Sequence, residues 1–117
     1  MKALNLISTS KIIGDDVKNT MGEDLGKIED IMLDAETSQI AYVVLSFGGF
    51  LGIGDKYFAI PWQSLRLSMD ENVFYLDISK EKLENAPGFD KENWPAQPDM
   101  QYVNEIFSYY GYKPYWE

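Results

Sequence analysis

The chain of 117 residues contains no cysteine and no histidine. The first absence excludes a disulfide framework, a thiolate nucleophile and a zinc–thiolate site. The second removes the commonest general base and the commonest transition-metal ligand. Long apolar runs are missing too. The most apolar region, Ile40 to Ile53, is interrupted by Gly48, Gly49 and Gly52. No stretch approaches the ~20 apolar residues that a membrane-spanning helix needs, so no membrane insertion is expected. The opening residues Met1 to Ser8 carry one lysine, no sustained apolar run and no small-residue cleavage site. No signal peptide is expected from them, and a cytoplasmic location fits. Basic residues are few and scattered. Ten Lys and Arg stand against nineteen Asp and Glu, for a net charge of −9. Such a surface repels nucleic acid and anionic membranes, because phosphate affinity depends on clustered cations. The excess acid reads first as solubility.

What is present suits a folded β protein. Hydrophobic residues make up 45% of the chain, enough for a real core, and the length is that of one domain. Residues 11–83 read as short strands joined by turns. Lys11-Ile12-Ile13 reads as a short extended start, and Val17-Lys18-Asn19 runs into a turn at Gly22. Leu25 to Asp34 reads as a strand whose apolar parity shifts between Ile28 and the pair Ile31 and Leu33. With Gly26 just upstream, a bulge or strong bend is expected there. Ile40 to Phe47 is apolar on both parities, the pattern of a strand buried on both faces. Val43, Leu45 and Phe58 are expected in the core. Tyr57 to Ile60 forms a strand that Pro61 ends or places at an edge. Leu65–Ser68 and Val73–Leu76, joined through Asp70-Glu71-Asn72, have the signature of a hairpin.

Ser79 can N-cap a short helix through Leu83. Pro87, Gly88, Pro95 and Pro98 then mark a linker without regular structure, pinned by Phe89 and Trp94. Asp99 is positioned to cap a second helix, and Gly111 to stop it. Tyr102, Val103, Ile106, Phe107 and Tyr110 fall on one stripe of that helix. The stripe is too apolar to face water. It either covers the chain's own barrel or pairs with a second copy, and the homodimer is the favoured expectation.

The chemistry-bearing patterns are weak. The glycine run over 48–54 does not follow G-x-G-x-x-G, is not followed by G-K-[ST], and leads into a strand instead of a helix. It reads as a curved connection. Phe50, Leu51 and Ile53 within it are candidates for an exposed docking tip. The acid pairs Asp15-Asp16, Glu23-Asp24, Glu29-Asp30 and Asp70-Glu71 lack the spacing of a calcium loop. Neighbours on a strand point to opposite faces, so such a pair cannot converge on one ion. No catalytic residue, cofactor or metal site is assigned, and the acids read as solvated turns.

Two segments carry a family resemblance. Gly22 to Asp34 contains G-x-x-x-G-x-I-x-D, and Gly48 to Trp62 contains G-G-F-x-G-I-G followed by I-P-W. Together they resemble the PRC-barrel family, over about the first two thirds of the chain. The resemblance implies a small, mainly β barrel with strongly bent strands, here spanning residues 1–83. Residues 84–117 would then form an ordered extension that carries the proline-rich linker and the C-terminal helix. The resemblance also implies a non-enzymatic binding or adaptor role, and it brings no catalytic residues. The expected partner is a protein of unknown identity. A ligand- or ion-responsive domain and a carboxylate- or tyrosine-dependent enzyme are the alternatives.

Overall fold

A computed structural model describes residues 4–48, 56–68, 70–96 and 98–117. The fold is mainly β, a seven-stranded sheet with short helices. After a helical turn α1 (Thr9–Ile12) come β1 (Asp16–Lys18), β2 (Asp24–Asp34), β3 (Gln39–Phe47), β4 (Lys56–Ile60), β5 (Leu65–Ser68) and β6 (Val73–Leu76). Helix α2 (Lys80–Glu84), the two-residue strand β7 (Gly88–Phe89) and helix α3 (Met100–Tyr109) follow. The strand order is β5-β6-β1-β2-β3-β4-β7, with β1 parallel to β6 and every other pair antiparallel. Among the described residues no ladder joins β5 to β7. The strands are compatible with a PRC-type barrel, and among the described residues no hydrogen bonds close the sheet.

The centre of the sheet lies where the pattern places it. Ala41, Tyr42, Val43, Val44 and Leu45 are all buried. Alternate strand residues point to opposite faces, so both faces of β3 are covered. Val43, Leu45 and Phe58 are at most 1% exposed. The expected bulge is present: the β2–β3 register skips a residue between Ile28 and Asp30. Gly26 lies at φ +114°, and a Cβ there would overlap the carbonyl oxygen of Ser46. Only glycine lets the two backbones approach so closely. The expected β5–β6 hairpin forms, pairing Leu65 with Leu76 and Ser68 with Val73, with Asn72 at φ +54° in its turn.

Two local expectations fail. Lys11-Ile12-Ile13 is not an extended start. Lys11 and Ile12 donate to the Ser8 carbonyl and Ile13 to that of Thr9, which makes a helical turn. The turn buries Ile12 alone, and Gly14 at φ +96° ends it. The stretch after Ala86 is not wholly irregular either. Gly88 and Phe89 pair with Phe58 and Tyr57 and extend the sheet beyond β4. Three rings fasten this strand: Tyr57 lies 6.0 Å from Phe89 and 5.3 Å from Trp94, and Phe89 lies 5.2 Å from Trp94.

The helix caps follow the expected chemistry. Ser79 Oγ accepts from Lys82 N at 3.0 Å, and Asp99 Oδ1 accepts from Tyr102 N at 2.9 Å. Gly111 at φ +82° ends the last helix.

Candidate functional site

A cleft lies where the β2–β3 hairpin meets the start of α3 and the C-terminal tail. Its volume is about 630 Å³, within the ~300–1,000 Å³ range of ligand-sized sites. Four stretches distant in sequence line it: 32–37, 41–42, 98–103 and 115–116. Met32, Ala41, Tyr42 and Val103 are among its buried or half-buried lining residues, and Trp116 is half-buried beside them. Leu33 and Met100 also line it, and each is 64% exposed. Asp34, Glu36 and Asp99 supply acid, and no lining residue is Lys or Arg.

Local hydrogen bonding fixes this geometry. Asp34 Oδ1 accepts from the backbone of Glu36 at 3.0 Å and Thr37 at 3.4 Å, folding the hairpin turn around one carboxylate. Ser38, at φ +64°, donates its N–H to the Asp34 carbonyl. The other carboxylate oxygen, Oδ2, accepts from Tyr115 Oη at 2.5 Å. Gln39 Nε2 reaches the Tyr115 carbonyl at 3.4 Å. The tail is thereby tied to the hairpin, and the Tyr115 ring rests 6.1 Å from that of Phe107 on α3. The Tyr115 hydrogen bond, followed by those from the turn backbone, holds the Asp34 carboxyl below the ordinary carboxylate range. Burial, then the bond to Asp34, pushes the Tyr115 phenol up to about 12. Among the described residues the Glu36 carboxylate has no hydrogen-bond or ion-pair partner.

Helix α3 forms one wall, and its stripe packs in cis. Val103, Ile106, Phe107 and Tyr110 are buried in the single chain, and Tyr102 is half-buried. The Tyr42 and Tyr102 rings meet edge-on at 6.2 Å. Within the single chain the stripe lies against the chain's own sheet. Burial raises the phenols of Tyr102, to about 12, and of Tyr110 still further. Both therefore stay protonated at neutral pH and hold no phenolate base. The Tyr110 hydroxyl is buried without a partner among the described residues.

The other candidates are not brought to this cleft. Phe50, Leu51 and Ile53 lie outside the described residues. The four acid pairs do not assemble: among the described residues no group of three or more carboxylates could hold a metal ion. No helix among the described residues is long and apolar enough to cross a membrane.

The sequence reading missed Leu33, Met100 and Trp116. Leu33 shares parity with Ile31 and reads as inward. A second register shift, between Met32 and Leu33, leaves it outside. Two adjacent apolar residues close to the end of a strand, Met32 and Leu33, were the available signal.

A search of curated proteins finds no match. The family model of the PRC-barrel domain matches residues 5–83, about two thirds of the chain. It therefore covers the helical turn α1, strands β1 to β6 and most of α2, and stops before β7 and α3. The chain belongs to the PRC-barrel family.

Proposed function

We propose that this chain is a non-enzymatic protein-interaction module that docks a segment of its partner in the cleft between the β2–β3 hairpin and α3. Membership of the PRC-barrel family supports an interaction role in general. The observation that carries the specific reading is the pairing of Leu33 and Met100. Both are large, apolar and mostly exposed, and both border the same cleft. Single exposed apolar residues are ordinary, but a contiguous apolar surface with a polar rim marks a contact site. Methionine suits such a surface because its flexible thioether adapts to different side chains.

The chain's chemistry favours binding over catalysis. It has no histidine or cysteine. Asp34 is occupied by its turn and by Tyr115, and Asp99 by its helix cap. Neither carboxylate is poised as a base against a nucleophile.

The test compares wild-type protein with the Leu33→Asp, Met100→Asp double variant as immobilised bait in an extract of the source cells. Bound proteins are quantified by mass spectrometry. A protein retained by the wild type and depleted about tenfold or more on the variant supports the reading, a loss of about 1.4 kcal/mol in affinity. Equal retention on both baits, with matching melting curves, removes the cleft from the interaction.

A further inference from the structure

We infer that the segment docked in this cleft is amphipathic and basic: one or two large apolar side chains flanked by Lys or Arg. The inference rests on the docking reading above and adds the partner's chemistry to it.

The lining has two parts with different demands. The apolar part, Met32, Leu33, Met100, Val103 and Trp116, is satisfied by any aliphatic or aromatic anchor. The charged part is selective. Asp34, Glu36 and Asp99 border the same opening, and no lysine or arginine among the lining residues balances them. Asp34 keeps its charge, since its hydrogen bonds favour the ionised carboxyl. Asp99 already faces the backbone N–H groups at the start of α3, which offset part of its charge. Glu36 is exposed and has no partner among the described residues, so its carboxylate is the free acceptor of the three. An acidic segment lowered onto this rim would bring like charges together as water is excluded, which is costly. A segment with Lys or Arg beside its apolar anchor would replace that water with charge-assisted hydrogen bonds. Arginine fits best at Glu36, where both carboxylate oxygens are open to its two parallel N–H groups.

The wider charge distribution points the same way. The chain carries −9, so its field draws cationic segments toward the cleft and repels phosphate-rich surfaces. That distinguishes a basic protein segment from a nucleic acid or a lipid headgroup.

A random peptide library displayed on phage, selected against the full chain, tests this directly. The enriched sequences should place Lys or Arg within a few residues of a Leu, Ile, Met, Phe or Trp. A synthetic peptide of that sequence should shift backbone amide resonances at 33–37, 99–103 and 115–116. Its affinity should fall about tenfold between low and high salt. Glu36→Lys, checked for an unchanged melting curve, should weaken it several-fold, and so should replacing the peptide's basic residues by glutamine. Selected peptides that are neutral or acidic yet shift the same resonances would overturn the charge inference and leave the docking reading standing. Peptides that perturb other surfaces, or no enrichment at all, would overturn both.

Discussion

The two ends of β2 depart from the usual inside–outside rule in opposite directions. Just before its start, Asn19 is a polar side chain at 1% exposure. Near its finish, Leu33 is an apolar side chain at 64% exposure. Asn19 is fully used. Its amide nitrogen donates to Glu23 Oε1 at 2.7 Å and to the Ile78 carbonyl at 3.1 Å, while its oxygen accepts from the N–H groups of Met21 and Glu23. One side chain thus closes the turn before β2 and ties it to the chain after β6. Leu33 does the reverse. It borders a cleft and is left largely uncovered. The difference separates two demands on a sequence. A buried asparagine with four partners is explained by folding alone. An exposed leucine that lines the same cleft as an exposed methionine is not, because a polar residue would fold as well there.

Breaking the wall behind the cleft should have the largest effect. Phe107→Ala removes a fully buried ring that joins α3 to the sheet and to Tyr115, and should cost ~3–5 kcal/mol in chemical denaturation. A loss near zero would mean that α3 contributes nothing to the stability of the sheet. Asn19→Ala comes next. It leaves two N–H groups and a carbonyl without their partner, and should cost roughly 1–3 kcal/mol. Asn19→Asp should fare no better, since a carboxylate cannot donate to the Ile78 carbonyl and would lie beside Glu23.

Tyr115→Phe sharpens the comparison through pH. Asp34 has a lowered carboxyl in the folded chain, against 3.8 unperturbed. Its contribution is therefore fully present above that value and is lost as pH falls through the lower folded pKa. Tyr115 is raised from 10.0 to about 12, so its contribution is present below pH 10 and lost as pH rises toward 12. Melting curves of wild type and Tyr115→Phe should differ at neutral pH and converge as pH falls through the lowered Asp34 pKa, below 3.8, and as it rises toward 12. A constant difference across the range would mean that the bond to Asp34 is not the cause.

Tyr110→Phe provides the counterpart to Asn19. Its hydroxyl is buried without a partner among the described residues, so removing it should change stability by less than about 1 kcal/mol, in either direction. A large loss would reveal a partner for that oxygen. Leu33→Asp should change least, within about 0.5 kcal/mol. The same substitution should act strongly on binding, and that contrast is the comparison in its most compact form.

Much of the fold is legible in residue order, where a local pattern carries it. Strand β3 declares itself by being apolar on both parities, the bulge by the parity shift after Ile28, and the hairpin by its turn residues. Ser79 and Asp99 announce their helices by capping chemistry. The misses share a cause: the deciding partner is far away in sequence. Gly88 and Phe89 become a strand because β4 offers an unpaired edge, and two residues can show no periodicity of their own. Residues 9–12 turn helical to seat Ile12 in a core assembled from elsewhere. The cleft was invisible for the same reason, since four separate stretches line it. The stripe on α3 was recognised correctly as apolar, but the pattern could not say which of its side chains the sheet covers within one chain.

The position of β1 in the strand order also sets a sequence of events during synthesis. This three-residue strand precedes the other six along the chain, and β2 can pair with it as soon as the intervening turn has formed. Its other edge belongs to β6, in parallel, and Val73 to Tyr75 emerge more than fifty residues later. Until then the growing chain presents a half-finished ribbon, with the backbone groups of β1 open along one side. Contacts so distant along the chain form slowly, and open edges of this kind invite pairing with other chains. Joining β6 to β1 thus ties the β5–β6 hairpin to the β1–β4 meander, and Asn19, which bonds across to Ile78 just beyond β6, stands beside that junction to fasten it.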